Sequence, residues 1–161
     1  IKAMPAEGGT VRLTFSPTRM VMELGCTTVC AQLIEGKYPD YRAVVPKKAA
    51  NRVEIPCRPL EDALRRIILV SGSDSPVAKL TFYSHGELEI QATQGSKSGK
   101  ESLDVKLEGP GGEVSFNPAY LIDFLKAAGR EVVTLHFQDN QMPGKFEAGE
   151  DFVHVVMTIS L

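Results

Sequence analysis

The stretch that most constrains how this chain can fold is Gly36-Lys37-Tyr38-Pro39-Asp40-Tyr41-Arg42-Ala43-Val44-Val45-Pro46. It cannot continue a sheet, because Pro39 and Pro46 have no amide hydrogen to donate and each drives the preceding residue towards an extended conformation. Yet Tyr38, Tyr41, Val44 and Val45 give it more apolar surface than a solvated linker carries. The expectation is an ordered connector packed between two units. The segment on its N-terminal side is short and strand-like. The segment on its C-terminal side has the size and pattern of a complete domain.

Composition narrows the class. A chain of 161 residues with 43% hydrophobic and 24% charged residues reads as a soluble globular protein able to bury a core. No apolar run approaches the ~20 residues that span a bilayer. The opening Ile1-Lys2-Ala3-Met4-Pro5 resembles neither a signal peptide nor a translation start, which suggests a piece of a longer protein. A formal charge of −2 argues against a basic surface all round, though not against a local basic strip. Cys26 and Cys30 lie four apart in a strand-like segment, ~13 Å between Cα atoms, too far for a disulfide. With Cys57 they read as reduced core thiols of a cytosolic protein, and they make no zinc site.

Periodicity supplies the elements. Val11–Phe15, Arg19–Leu24 and Thr27–Ile34 read as a meander with one buried face. Arg52–Ile55 is a short strand. A helix opens at Arg58-Pro59-Leu60, with Leu60, Ala63, Leu64, Ile67 and Ile68 as its apolar stripe. Leu69 falls on the polar side next to Val70, either because the helix bends there or because the pair meets another subunit. Residues 71–76 form a loop, and Val77–Tyr83 with Glu87–Thr93 a hairpin. Residues 94–100 read as a loop of low order. Glu101–Leu107 alternates as a strand, and Val114–Phe116 is a short one. Asn117 and Pro118 open a second helix, with Tyr120, Leu121, Phe124, Leu125 and Ala128 as its stripe and Gly129 at its end. Strands over 131–138, 145–148 and 152–160 complete the chain.

The two ends of the chain resemble each other. Ile1–Met4 can be laid on Leu125–Ala128, Val11–Phe15 on Val133–Phe137, and Thr28–Ile34 on Val153–Ile159. Such a repeat implies a tandem array, with residues 1–35 the tail of one copy and 36–161 a full copy. The fold class is α+β, with mostly antiparallel sheets and two helices per copy on one face. Arg65, Arg66 and Lys126, with nearby Arg130, lie off the apolar stripes. They are either ordinary solvated helix faces or a basic concave lining.

Catalytic patterns fail on inspection. Gly95-Ser96-Lys97-Ser98-Gly99-Lys100-Glu101 lacks the spacing and the hydroxyl of a phosphate loop. His85, His136 and His154 have no neighbouring nucleophile pattern. Glu147, Glu150 and Asp151 read as a solvated turn.

Several motifs in register resemble the bacterial DNA polymerase III beta subunit family, the sliding clamps. Gly36–Arg42 followed by Val44-Val45-Pro46 is similar to the connector before the third clamp domain. Phe116-Asn117-Pro118-Ala119-Tyr120 resembles the opening of its second helix, Leu103-Asp104-Val105 its central strand, and His154-Val155-Val156-Met157 the start of its C-terminal tail. The resemblance spans the whole chain. It implies a DNA-clamp fold, with residues 1–35 the last strands of the second domain and 36–161 the third.

The function implied is that of a non-enzymatic processivity factor without cofactor or metal. It would form a bacterial, cytoplasmic and nucleoid-associated homodimeric ring that slides on duplex DNA without reading sequence. The partners implied are the replicative polymerase, the clamp loader and repair proteins carrying clamp-binding peptides. Resemblance places Lys47, Arg65, Arg66 and Lys126 on the DNA lining and Leu69 and Val70 in the subunit contact. It places Pro39, Val44, Asn117, Tyr120, Val155, Val156 and Met157 around a peptide pocket.

Three departures stand out. The family tail usually runs Val-Met-Pro-Met-Arg-Leu, whereas here Thr158 and Ser160 replace proline and arginine, so tail rigidity and charge are open. Ala43 stands where a second arginine is common, and the phenylalanine often found before the hairpin is replaced near Ser75. Two other readings compete: a stand-alone clamp-like peptide-binding module that encircles no DNA, and an enzyme with an unrecognised site.

Overall fold

The computed structural model describes residues 10–71 and 76–160. The chain divides between Pro39 and Asp40 into two compact units.

The first unit is an antiparallel meander of β1 (Arg12–Phe15), β2 (Arg19–Leu24) and β3 (Thr27–Gln32). A reciprocal bond pair closes its first turn, with Ser16 N donating to Arg19 O and Arg19 N to Ser16 Oγ. Register aligns Leu13 with Met22 and Val29, and Phe15 with Met20 and Ala31, so one face is apolar, as alternation requires. That face is not buried as expected: Phe15 is 63% exposed and Leu13 49%. A single sheet buries an apolar face only against a second layer, and among the described residues this unit contains no helix. Cys26 and Cys30 are likewise exposed, and only Cys57 is a core thiol. The overlay of Ile1–Met4 and the substitution near Ser75 lie outside the described residues.

The connector also departs from expectation. Asp40 accepts a hydrogen bond from Arg42 N and caps a single 3-10 turn, Tyr41–Ala43. Tyr38 is 80% exposed and Val44 59%. Only Val45 and Pro46 are half-buried, and local turn chemistry orders residues 40–43.

The second unit has two similar halves. In the first, β4 (Asn51–Pro56) leads into α1 (Cys57–Ser71), followed by β5 (Ala78–Tyr83), β6 (Glu87–Gln94), β7 (Lys97–Asp104) and the short β8 (Lys106–Glu108). In the second, β9 (Gly112–Phe116) leads into α2 (Pro118–Ala128), then β10 (Val132–Phe137), β11 (Gly144–Glu147) and β12 (Val153–Val156). The first strand of each half joins the other half's sheet, giving orders β12-β11-β10-β4-β8 and β7-β6-β5-β9. This exchange welds the halves into one core.

Helix α1 buries Leu60, Ala63, Leu64 and Ile67, and α2 buries Leu121, Ile122, Phe124 and Leu125. Each large aliphatic residue removed from water contributes roughly 1.5–3 kcal/mol. Phe124 of α2 lies 5.5 Å from Phe146 of β11 and 5.4 Å from Phe152, centroid to centroid. Helix α2 starts where its sequence says it must: Asn117 Oδ1 accepts from Ala119 N, and Pro118 takes the first turn.

Two expectations on β7 are corrected. Residues 97–100 are not loop but strand, paired with β6 from Gln94↔Lys97 to Gln91↔Lys100. Gly95, at φ +58°, turns the chain tightly enough for the ladder to continue at once. Leu103 and Asp104 end an edge strand rather than a central one, and the alternation to Leu107 breaks at Val105, where the chain changes sheets. The last strand is also shorter than 152–160, stopping at Val156.

Candidate functional site at the C-terminal tail

A groove of about 690 Å³ runs beside the start of α2 and the end of the chain. Asn117 and Tyr120 supply one side, the segment His154–Ile159 the other, and Pro76 and Val77 close one end. Its chemistry is mainly apolar, with a few fixed polar groups. Val156 is buried, while Tyr120 and Met157 stand 58% and 64% exposed at the rim. Asn117 is held by its capping bond, which occupies Oδ1 and leaves the Nδ2 donor without a partner among the described residues.

The backbone edge matters as much as the walls. β12 is the edge strand of its sheet, paired only with β11 among the described residues. Such an edge offers free N–H and C=O groups to an added extended segment. Its partner β11 begins with Gly144, which lets that strand pack close against Phe116 of β9. A Cβ there would stand 2.6 Å from the buried Phe116 ring.

Within the lining of the groove, His154 lies flat on Phe124, with ring centroids 5.2 Å apart and planes 8° apart. Its Nε2 is buried without a partner among the described residues. Burial alone pushes its imidazole below the ordinary pKa.

Beyond Val156 the tail leaves its sheet and is tied to the other one. Ile159 N donates to Ser115 O on β9 at 2.8 Å. Thr158 Oγ1 donates to Asn140 O at 2.9 Å, and Asn140 Nδ2 to Ile159 O at 3.0 Å. Thr158 is thus tied through its hydroxyl to the loop between β10 and β11.

Of the pocket residues expected from sequence, Asn117, Tyr120, Val155, Val156 and Met157 converge on this groove. Val44 is exposed and does not line it, and Pro39 belongs to the first unit. Sequence reasoning missed Pro76, Val77, Thr158 and Ile159 as lining. It weighed His154 as a catalytic candidate and as part of a tail motif, not as groove lining, although the residue lines the groove.

The basic residues lie elsewhere on the unit, mostly in ion pairs. Arg65 pairs with Glu61 at 2.6 Å, one helical turn away. Arg66 binds Glu101 on β7 through two contacts of 2.7 and 2.8 Å. Those hydrogen bonds raise the guanidinium pKa and hold the carboxylate below its usual range. Lys126 approaches Asp123 at 3.9 Å, and Lys47 is exposed. On α1, Leu69 is 82% exposed, whereas Val70 packs towards Gly99 on β7. Among the described residues no three acidic, histidine or cysteine side chains gather where a metal could bind.

An α+β unit of two βα halves that exchange their first strands, with a groove at its tail, is the clamp class of fold. The family described as DNA polymerase III beta subunit, C-terminal domain, matches residues 42–160, and the chain belongs to it. The beta sliding clamp of Synechocystis sp. is 27% identical over 156 residues, covering 94% of this chain and 40% of its own length. That of Escherichia coli K12 is 28% identical over 154 residues, covering 94% and 42%. Among solved structures, the DNA polymerase III beta subunit of Pseudomonas aeruginosa superposes with a TM-score of 0.85 at 28% identity, again over 94% of this chain and 42% of that one. A sliding clamp from the same organism bound to griselimycin gives 0.83 at 28% identity. This chain thus spans about two-fifths of the length of the relatives it matches.

Proposed function

We propose that this chain is the C-terminal part of a sliding-clamp subunit, a non-catalytic processivity factor of DNA replication in the bacterial cytoplasm. In this reading it contributes to a homodimeric ring around duplex DNA. The tail groove receives short extended peptides from the replicative polymerase, the clamp loader and repair proteins. The observation that carries the reading is the groove itself, an apolar trough beside an open strand edge on a chain of the clamp family.

Each part of such a peptide has a counterpart. Aliphatic and aromatic anchors would bury against Val155, Val156 and Met157 and stack on Tyr120, while Asn117 Nδ2 and the β12 edge would bond the peptide backbone. Val44 would extend the same surface in the assembled ring. Lys47, Arg65, Arg66 and Lys126 would hold phosphates loosely, since three of the four share their charge with a carboxylate. Leu69 and Val70 would meet the next subunit.

The test is a titration of the chain with an acetylated octapeptide bearing two leucine anchors and one phenylalanine, followed by amide NMR. Shifts centred on Asn117, Tyr120 and Val155–Met157 are expected. Shifts confined to other surfaces, or none at millimolar peptide, would overturn the assignment.

A further inference from the structure

The tail that walls the groove has no ladder of its own after Val156; one backbone bond, Ile159 N to Ser115 O, and the contacts of one residue, Asn140, take its place. Asn140 sits between β10 and β11, in a loop pinned by Asp139 Oδ1, which accepts from Gln141 N and Met142 N. From there it reaches two segments remote in sequence. Its Oδ1 accepts from Ser115 N at 2.8 Å, and its Nδ2 donates to Ile159 O at 3.0 Å. Its own carbonyl accepts from Thr158 Oγ1 at 2.9 Å. Donor, acceptor and backbone carbonyl are all engaged, so β9, the loop and the tail share one joint.

We propose that Asn140 is a positioning residue of the groove, holding Met157–Ile159 in the one conformation that receives a partner peptide. The inference rests on the peptide-binding function proposed for the groove and adds the device that makes it work in this chain. A tail left to itself would sample many conformations, and docking would have to freeze them at a cost in affinity. A proline in the tail would limit that freedom by fixing its own φ and restraining its neighbour. Thr158 has no such constraint. The Asn140–Thr158–Ile159 bonds provide the same preorganisation from outside the tail.

A purely structural tie of a chain end would hold the terminus without affecting what binds there, and the two roles separate experimentally. Asn140→Asp keeps the acceptor for Ser115 N but replaces the donor facing Ile159 O by a carboxylate. Thr158→Val removes only the hydroxyl. Both are compared with the unaltered 161-residue chain in titrations with the leucine–phenylalanine octapeptide, in hydrogen exchange at the Ile159 amide, and in Tm.

N140D is expected to bind the peptide about tenfold more weakly, with faster Ile159 exchange, and T158V to move the same way by less. Adding Thr158→Pro to N140D should restore much of the affinity, because the ring constrains the tail without Asn140. Unchanged peptide affinity in both variants, or a fall in Tm alone, overturns the positioning role while leaving the groove's function intact. Absence of peptide shifts at Asn117 and Tyr120 in the unaltered chain overturns the groove's function, and this inference with it.

Discussion

Arg66 and Glu101 face each other from α1 and β7 as a two-point ion pair, Nε to Oε1 at 2.7 Å and Nη2 to Oε2 at 2.8 Å. The pair spends a guanidinium charge on its own protein. If Arg66 belongs to a DNA lining, Glu101 is a brake on it. Glu101→Gln in the assembled ring should therefore tighten duplex binding and steepen the slope of log K against log salt by about 0.9. Fluorescence anisotropy across a salt series measures this, and an unchanged slope would remove Arg66 from the lining.

His154 makes a pH-dependent contribution whose sign is determined by burial. Its folded pKa lies below the ordinary value, so as the pH falls the unfolded chain takes up the proton first. Stability is full above about pH 6.5 and is lost as the pH drops through the folded value. His154→Phe keeps the stack on Phe124 and removes the unpartnered Nε2. It should gain about 1 kcal/mol at pH 7.5 and lose less than the parent on acidification. Urea unfolding of both at pH 7.5 and 5.0 checks the difference; parallel losses would rule out His154 as the source.

Two positions, Asn117 in the groove and Gly144 on the strand next to its edge strand, test the local geometry. Asn117→Ala deletes the cap of α2 and should cost about 1 kcal/mol. Gly144→Ala drives a methyl group to 2.6 Å from the Phe116 ring, which is fully buried and cannot swing aside. It should cost about 1–3 kcal/mol, seen as a lower urea midpoint at constant slope.

Leu69 separates folding from assembly. At 82% exposure its replacement by Ala should change the stability of this chain by less than about 0.5 kcal/mol. In the full-length clamp, Leu69→Ala together with Val70→Ala should shift the dimer towards monomer in sedimentation. A dimer of undiminished strength would refute the subunit contact.

Helix α2 was legible from sequence because its signals are local: Asn117, Pro118 and Gly129 bracket a stripe that ends up buried. The stripe of α1 was equally plain. Residues 97–100 were not, because a polar edge strand takes its identity from the ladder on β6 rather than from its own side chains. The connector misled for the opposite reason, since Tyr38 and Val44 are apolar yet exposed in this chain. The groove was half legible: the motif residues of α2 and the tail carried it, whereas Pro76, Val77 and the Asn140 joint carried no sequence signal.

By itself, then, the sequence determined the helices with their caps and stripes, the alternating strands and the family motifs. These depend on neighbours within a few positions. Only the tertiary structure decided that Asn140 meets Ile159, that Arg66 meets Glu101 35 positions away, and that His154 lies flat on Phe124. Such contacts arise from how two sheets exchange strands around two helices, and no spacing along the chain encodes that exchange.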